Sequence, residues 1–518
     1  MSTAQAPGAP GASGAAEPPG TPVAPEASAK GLRSGSVGLL GTVALGLASV
    51  APAYSIAVTL GFVTLVAGDL APAALLVGFV PILLTAFAFR ELNRSMPDCG
   101  TTFVWGTRAF SPYLGWLSGG WVVQVCTVIA MTALAQVASA YLLDVVGLDA
   151  FTDDTWAVAG TGVLILALVT VIAYRGISIA AGIQYFLLGL QLAALLTFGI
   201  AAFAQHGEAT GALSPSLSWL NPLGFDGWGV FAQAVLLCLY IYWGWDALIT
   251  VNEETKDSAN TPGKAAVIST VVLLATYLFT AYAAISYAGV GTDALGLGNE
   301  DNAADVVATL APGLVGSGLA AVLKLSVAIS AVAALLTCGV STSRGTLSMA
   351  AHGAAPARFG RIHPRYATPG FGTAFFGIAA ALALVVLSAL SGHFLGDAIG
   401  SVGLLIAFYY AITGYACVWY FRRDLRDGPR ELLFKGVLPL IGATMMLAAF
   451  GRSAYDMWQP DYGHTSMFGV GGVFLLGIGS ILLGVVVMLA YRPRARRFFA
   501  SGRTEVARVT VTEDALAG

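Results

Sequence analysis

Across 518 residues, hydrophobic side chains make up 57% and Asp, Glu, Lys and Arg together only 10%, against about 25% charged in soluble domains. So few charges cannot cover a soluble surface, and with a mean hydropathy of +0.78 the chain reads as a polytopic membrane protein. The net charge of −3 comes with no basic stripe and no aromatics interleaved with Arg, which argues against a nucleic-acid partner.

Residues 1–35 are rich in Ala, Pro and Gly and read as a disordered cytoplasmic tail. They lack the basic start and apolar stretch of a signal peptide. Twelve apolar segments follow, at 36–64, 71–92, 112–143, 155–174, 177–204, 226–251, 265–290, 313–347, 370–392, 398–421, 435–450 and 467–491, and residues 492–518 form a polar C-terminal tail. The runs are continuous rather than alternating, so they are helices long enough to cross a bilayer and not strands of a barrel.

Span one carries Ser49-Val50-Ala51-Pro52-Ala53-Tyr54 at its middle. Pro52 cannot donate the helical hydrogen bond, and its ring pushes the preceding turn apart. In span three, Gly115 and Gly119 are spaced for tight helix packing, while Gln124 and Gln136 either face a pocket or bond between helices. Span six carries Tyr240-Ile241-Tyr242-Trp243-Gly244-Trp245-Asp246, an aromatic cluster with a glycine and an acid at mid-span. Backbone freed from helical pairing at that depth must face protein or a watery cavity. Each interruption alone can be a kink or a close contact. Five spans apart, at matching positions of two halves, they point to a transporter's central site.

Asp246 is an acid inside the membrane, expensive unless paired or protonated. It reads either as a cap on the second half-helix or as a proton-coupling group. Glu253 and Glu254 follow at the exit of span six and are expected to pair with loop Arg or Lys at the surface. Lys324 lies about ten residues, or roughly 15 Å, into span eight. It is expected to snorkel outward, to pair with Asp246, or to serve as a counter-ion or built-in cation. Ser326 and Ser330 nearby keep sodium ligation open, although span eight is otherwise Ala-rich there.

With the N-terminus inside, 23 of the 25 Lys and Arg fall on one face, Arg452 on the other and Lys324 within a span. Positive charge marks the cytoplasmic side, so both termini are expected there, in the cytoplasmic membrane. The five cysteines form no CxxC, the histidines no HExxH, and Gly263-Lys264-Ala265 is no phosphate loop. No cofactor, metal or catalytic set is implied, and transport would have to run on a gradient.

Three further stretches carry a family resemblance. They are Phe89-Arg90-Glu91-Leu92 with Pro97-Asp98-Cys99-Gly100; Gly244-Trp245-Asp246-Ala247 with Asn252-Glu253-Glu254-Thr255-Lys256; and Ser343-Arg344-Gly345-Thr346-Leu347-Ser348-Met349-Ala350 through Pro356 to Ile362-His363-Pro364-Arg365-Tyr366-Ala367-Thr368-Pro369. In this order they resemble the amino acid–polyamine–organocation permease superfamily from about residue 36 to 490. The resemblance implies an all-α, LeuT-like fold of twelve helices. Two inverted five-helix repeats (36–204 and 226–421), each opening with a broken helix, would be followed by two extra helices (435–491).

The resemblance also implies alternating-access transport of amino acids or related amines, coupled to protons or sodium or running by exchange; a deprotonatable Lys324 and the Ala-rich stretch at Ala331, Ala333 and Ala334 favour protons. A polyamine or organocation carrier is the rival within the fold, and a channel or nutrient-sensing receptor the rival outside it. The substrate would meet backbone at Ser49, Val50, Ala51, Pro52, Ala53 and Tyr54, and at Tyr240, Tyr242, Trp243, Gly244 and Trp245, with Asp246 and Lys324 in coupling. The family's span-one break is glycine-rich, whereas here it is Ala51-Pro52-Ala53, which offers fewer amides to a carboxylate.

Overall fold

The computed structural model describes residues 30–207, 211–390, 394–463 and 465–501. Most of both expected tails, residues 1–29 and 502–518, lies outside them. The described chain is almost wholly helical. Its long elements are α1 (Leu39–Val50), α2 (Pro52–Ala67), α3 (Ala71–Ser95), a short α4 (Thr102–Ala109), α5 (Pro112–Val145), α6 (Thr155–Tyr174), α7 (Ile177–Ala204) and α8 (Trp228–Ile241). They continue with the 3-10 helix α9 (Trp245–Glu254), α10 (Thr261–Ala288), α11 (Val306–Ala351), α12 (Gly370–Leu390), α13 (Phe394–Tyr420), α14 (Pro429–Met457) and α15 (Gly472–Tyr491).

Among the described residues, eleven segments are long and apolar enough to span a membrane. The first, Leu39–Ser95, has 57 residues. At 1.5 Å per residue that is about 86 Å, nearly three times a ~30 Å hydrocarbon core. It is not one rod: Gly68 leaves the helical region at φ 56°, ψ −132°, and α3 starts after the turn Gly68–Leu70. Counted as two, it brings the spans to the expected twelve, and the helix bounds follow the apolar runs except at the eighth and eleventh, whose helices Val306–Ala351 and Pro429–Met457 outrun the expected 313–347 and 435–450.

Side chains sort as lipid demands. Leu164, Leu168, Phe186, Ile200, Leu382 and Val386 point outward and are exposed, while Trp105, Trp245, Tyr242, Tyr277, Tyr409 and Tyr410 are fully buried. The hydrophobic effect does not draw helices together in lipid, so close approach through small residues must do so. A Cβ on Gly119 would lie 2.0 Å from the Phe103 amide, and one on Gly115 2.1 Å from Thr107 Oγ1. That glycine pair seats α4 against α5, the packing role read from its spacing.

α11 fixes the two ends of the bundle. It has 46 residues, with a non-helical Gly316 at φ 73° inside it. Asp305 caps its start through Ala308 N at 2.8 Å, and Arg344 lies near its finish. The end that holds Arg344 also gathers the turns after α3 and α9, and is called the arginine-rich end below.

Candidate functional site

The chain leaves helical geometry inside two spans. Ala51 adopts φ 53°, ψ 65°, so α1 ends at Val50 and α2 starts at Pro52, where the missing N–H costs nothing. In the sixth span α8 ends at Ile241, and the chain resumes as α9 after Gly244 at φ 113°. The two irregular stretches touch. Ser49 Oγ donates to the Gly244 carbonyl at 2.7 Å. A Cβ on Gly244 would fall 2.6 Å from the Ser49 carbonyl oxygen, so only glycine permits this contact.

At the start of α2 most amides are spoken for. Pro52 has none, Tyr54 N donates to Ser330 Oγ at 3.3 Å, and Ser55 N to the Ala51 carbonyl at 2.8 Å. Ala53, buried at 0% exposure, keeps its N–H without a partner among the described residues, at the positive end of α2.

Asp246 lies beside this junction in the first turn of α9. Its side-chain oxygens accept from two consecutive tyrosines of α13, Tyr409 Oη at 2.9 Å and Tyr410 Oη at 3.0 Å. Trp243 Nε1 donates to Tyr409 Oη at 2.7 Å and completes a chain of neutral donors leading to the carboxylate. Trp245 packs its ring on Phe89 and Tyr410 with Nε1 unpaired. Tyr54 and Tyr240 meet through their hydroxyls at 3.2 Å across the two interruptions. Tyr242 turns away, donating to the Leu75 carbonyl at 3.0 Å and packing on Phe79 and Tyr277. Ser49, Val50, Ala51, Pro52, Ala53, Tyr54, Tyr240, Trp243, Gly244, Trp245 and Asp246 therefore fall at one junction, and Tyr242 behind it.

Lys324 does not pair with Asp246, as one sequence reading had it. Its Nζ lies 2.8 Å from Asp144 Oδ2, near the end of α5. Beside it Tyr141 donates to Asp305. Ser330, a candidate sodium ligand, accepts from Tyr54 N and donates to Gln191 Oε1 at 2.6 Å. Ser326 Oγ donates to the Leu323 carbonyl. Gln124 and Gln136 each leave a buried carbonyl oxygen unpaired.

The arginine-rich end corrects two expectations. Glu254 is not at the surface: it is 0% exposed and accepts from Arg344 Nε at Oε2 and from Nη2 at Oε1, the latter at 2.9 Å. Lys30, expected within an unstructured tail, is 2% exposed, its Nζ 2.8 Å from Asp98 Oδ2 and 2.6 Å from Glu253 Oε1. Burial opposes the charge on Lys30, but Cys99, Asp98 and Glu253 outweigh it and raise its pKa above the ordinary lysine value. Asp98 goes the other way: burial alone would raise it, and Lys30 and His352 pull it well below the usual carboxylate range. Downstream, Ser36 Oγ and Val37 N both donate to the Glu254 carbonyl, and Lys256 N donates to the Val37 carbonyl. The segment from Lys30 to Val37 is thus tied down at both ends.

Sequence reasoning missed Tyr409 and Tyr410, Gln191, Asp144, and Lys30 with its three partners. A tyrosine pair within an apolar span was the one visible signal.

An all-helical bundle of about twelve spans, with polar groups converging where two spans lose helical pairing, is the build of a membrane transporter. Residues 37–468 match the family described as Amino acid permease. The chain belongs to that family. It is 26% identical over 465 residues to an uncharacterized transporter of Mycobacterium tuberculosis, covering 88% of this chain and 92% of the relative. It is also similar to the branched-chain amino acid permease BcaP of Lactococcus lactis (26% over 451 residues; 82% and 86% covered) and to that of Bacillus subtilis (25% over 385 residues; 71% and 77%).

Proposed function

We propose that the protein imports neutral, apolar amino acids across the cytoplasmic membrane by proton-coupled alternating access, on a LeuT-like fold of two inverted five-helix repeats, with both termini cytoplasmic. The substrate sits where the first and sixth spans are interrupted. Its carboxylate takes the Ala53 amide at the positive end of α2, and its side chain lies among Tyr54, Tyr240, Trp243 and Trp245. Resemblance to branched-chain amino acid permeases supports an apolar side chain.

The observation that carries the reading is Asp246. It is a carboxylate inside the membrane, beside the junction, held by two neutral hydroxyls and by no cation among the described residues. A group so placed can cycle between charged and neutral forms, whereas a carboxylate paired to Arg or Lys is fixed in one. Sodium is disfavoured because the eighth span is Ala-rich around Ser330, at Ala331, Ala333 and Ala334, and offers few oxygen ligands there.

Uptake of labelled leucine into proteoliposomes, driven by a pH gradient with and without sodium, tests the proposal. Accumulation that follows the pH gradient, ignores sodium and disappears in Asp246→Asn is expected. Accumulation that needs sodium, or counter-flow with putrescine but not with leucine, would overturn it. Flux that does not saturate would indicate a channel.

A further inference from the structure

The cluster at the arginine-rich end contains a cation cage that the transport reading does not use. Asp98 and Cys99 come from the turn after α3, and Glu253 from the end of α9. Each offers one ligand atom, and the three atoms lie within 4.8 Å of one another. A thiolate and two carboxylate oxygens are ligand types that a zinc-type ion takes, and bonds of about 2.0–2.3 Å would draw them closer together. Asp98 is braced as metal-binding carboxylates are. Its Oδ1 accepts from Ser348 Oγ at 2.5 Å and from Gly100 N at 2.8 Å, and its Oδ2 faces His352 Nε2 at 3.2 Å. The imidazole is itself buried, and its Nδ1 has no partner.

The cage already holds a cation, and it comes from the chain's own N-terminal segment. Lys30 Nζ sits 2.8 Å from Asp98 Oδ2, 2.6 Å from Glu253 Oε1 and 3.6 Å from Cys99 Sγ. A 2%-exposed ammonium between two carboxylates shows that these groups converge on one positive charge. Cys99 Sγ adds a donor that an ammonium uses poorly and a soft metal uses well.

We propose that Asp98, Cys99 and Glu253 form a latent site for a thiophilic divalent cation such as Zn²⁺ or Cd²⁺, for which Lys30 is the built-in competitor. On exchange the Cys99 thiol gives its proton to solvent as the sulfur–metal bond forms, Lys30 leaves with its charge, and no electron is transferred. Burial pushes the Cys99 thiol up, so the metal must drive that deprotonation, and binding weakens in acid. The site stands apart from the transport reading and needs no substrate to be tested.

Cd²⁺ alone, titrated into the purified full-length protein, is the probe, read by its ultraviolet thiolate charge-transfer band and by calorimetry. Lys30→Met is expected to bind at least about tenfold tighter than the parent chain, because the competing state is gone. The band is expected to disappear in Lys30→Met/Cys99→Ser. Should the methionine variant not fold, Lys30→Gln keeps two donors for the carboxylates and serves instead. In the parent chain, saturating Cd²⁺ is expected to give the same band at higher concentration and to open cleavage by trypsin after Lys30. Equal affinities with and without Lys30, a band that survives loss of Cys99, or no band in a folded Lys30 variant and in the parent chain would each overturn the proposal.

Discussion

Two buried groups of acids are treated in opposite ways. Asp246, beside the interrupted spans, accepts from the hydroxyls of Tyr409 and Tyr410 and meets no cation among the described residues. At the arginine-rich end, Asp98 and Glu253 close on Lys30, and Glu254 closes on Arg344, every carboxylate within reach of a full positive charge. A buried ion pair is costly to form and costlier to break, so it locks a geometry. A carboxylate held by neutral donors has no such lock and can give up its charge by taking a proton. On the proposed function, the acid beside the interrupted spans is free to change its charge, whereas the acids at the end of the bundle are each paired with a cation.

Removing the adjustable charge is expected to have the largest effect on transport. Asp246→Asn retains hydrogen bonding to the tyrosines but cannot exchange a proton. Gradient-driven uptake in proteoliposomes should fall to background while yield and gel-filtration profile stay normal. Uptake that keeps its dependence on the pH gradient in this variant would end the contrast drawn here.

The permanent charge breaks differently. Arg344→Met leaves Glu254 buried and unpaired, at a cost of about 3–5 kcal/mol. Arg344→Met with Glu254→Met removes both charges and should recover most of that loss. Detergent thermal melts of the two single variants and the double variant measure the coupling. A simple sum of the single losses would mean that the pair does not act as a unit.

Much of this was legible beforehand, and the omissions have physical causes. The span bounds could be read because lipid demands unbroken apolar runs, and one turn at Gly68 did not blur them. Asp246 stood out as a lone acid in an apolar stretch. Its partners did not, because Tyr409 and Tyr410 in a helix look like any packed aromatics until the fold brings α13 beside α9. Lys30 was masked by its neighbours: Ala, Pro and Gly make a tail-like composition, and composition cannot register one charge with three distant partners. Glu254 was misjudged for the reverse reason. A helix end that should meet water is covered by α11, whose Arg344 lies 90 positions further on.

Across pH, the Lys30–Asp98 pair should be indifferent. Asp98, depressed, contributes stability above the ordinary carboxylate range and loses it only on strong acidification. Lys30, raised, contributes below the ordinary lysine range and loses it only in strong alkali. Between about pH 5 and 9 both stay charged. The parent chain should therefore keep the pair's contribution across that window, whereas in Lys30→Met the buried Asp98 loses the charge that holds it down and takes up a proton more readily. The melting difference between the two should narrow towards the acid end, and a difference that stays flat would show that Lys30 does not hold Asp98 ionised.

The smallest effect belongs to Lys324, and it separates chain position from function. Read from the apolar run alone, the residue lies deep in its span and could serve in coupling. The helix that carries it starts earlier, at Val306, and bends at Gly316. The partner Asp144 is next to the last residue of α5, and the two side chains keep 24% and 33% of their exposure. A pair that wet is worth about 0–1 kcal/mol, and both charges can turn to water when the partner is gone. Lys324→Met should shift the melting point little and leave the pH-gradient dependence of uptake unchanged, in contrast to Asp246→Asn. A loss of coupling in Lys324→Met as deep as that in Asp246→Asn would show that the end distal to Arg344 also carries adjustable charge, and that the division drawn between the two regions is misplaced.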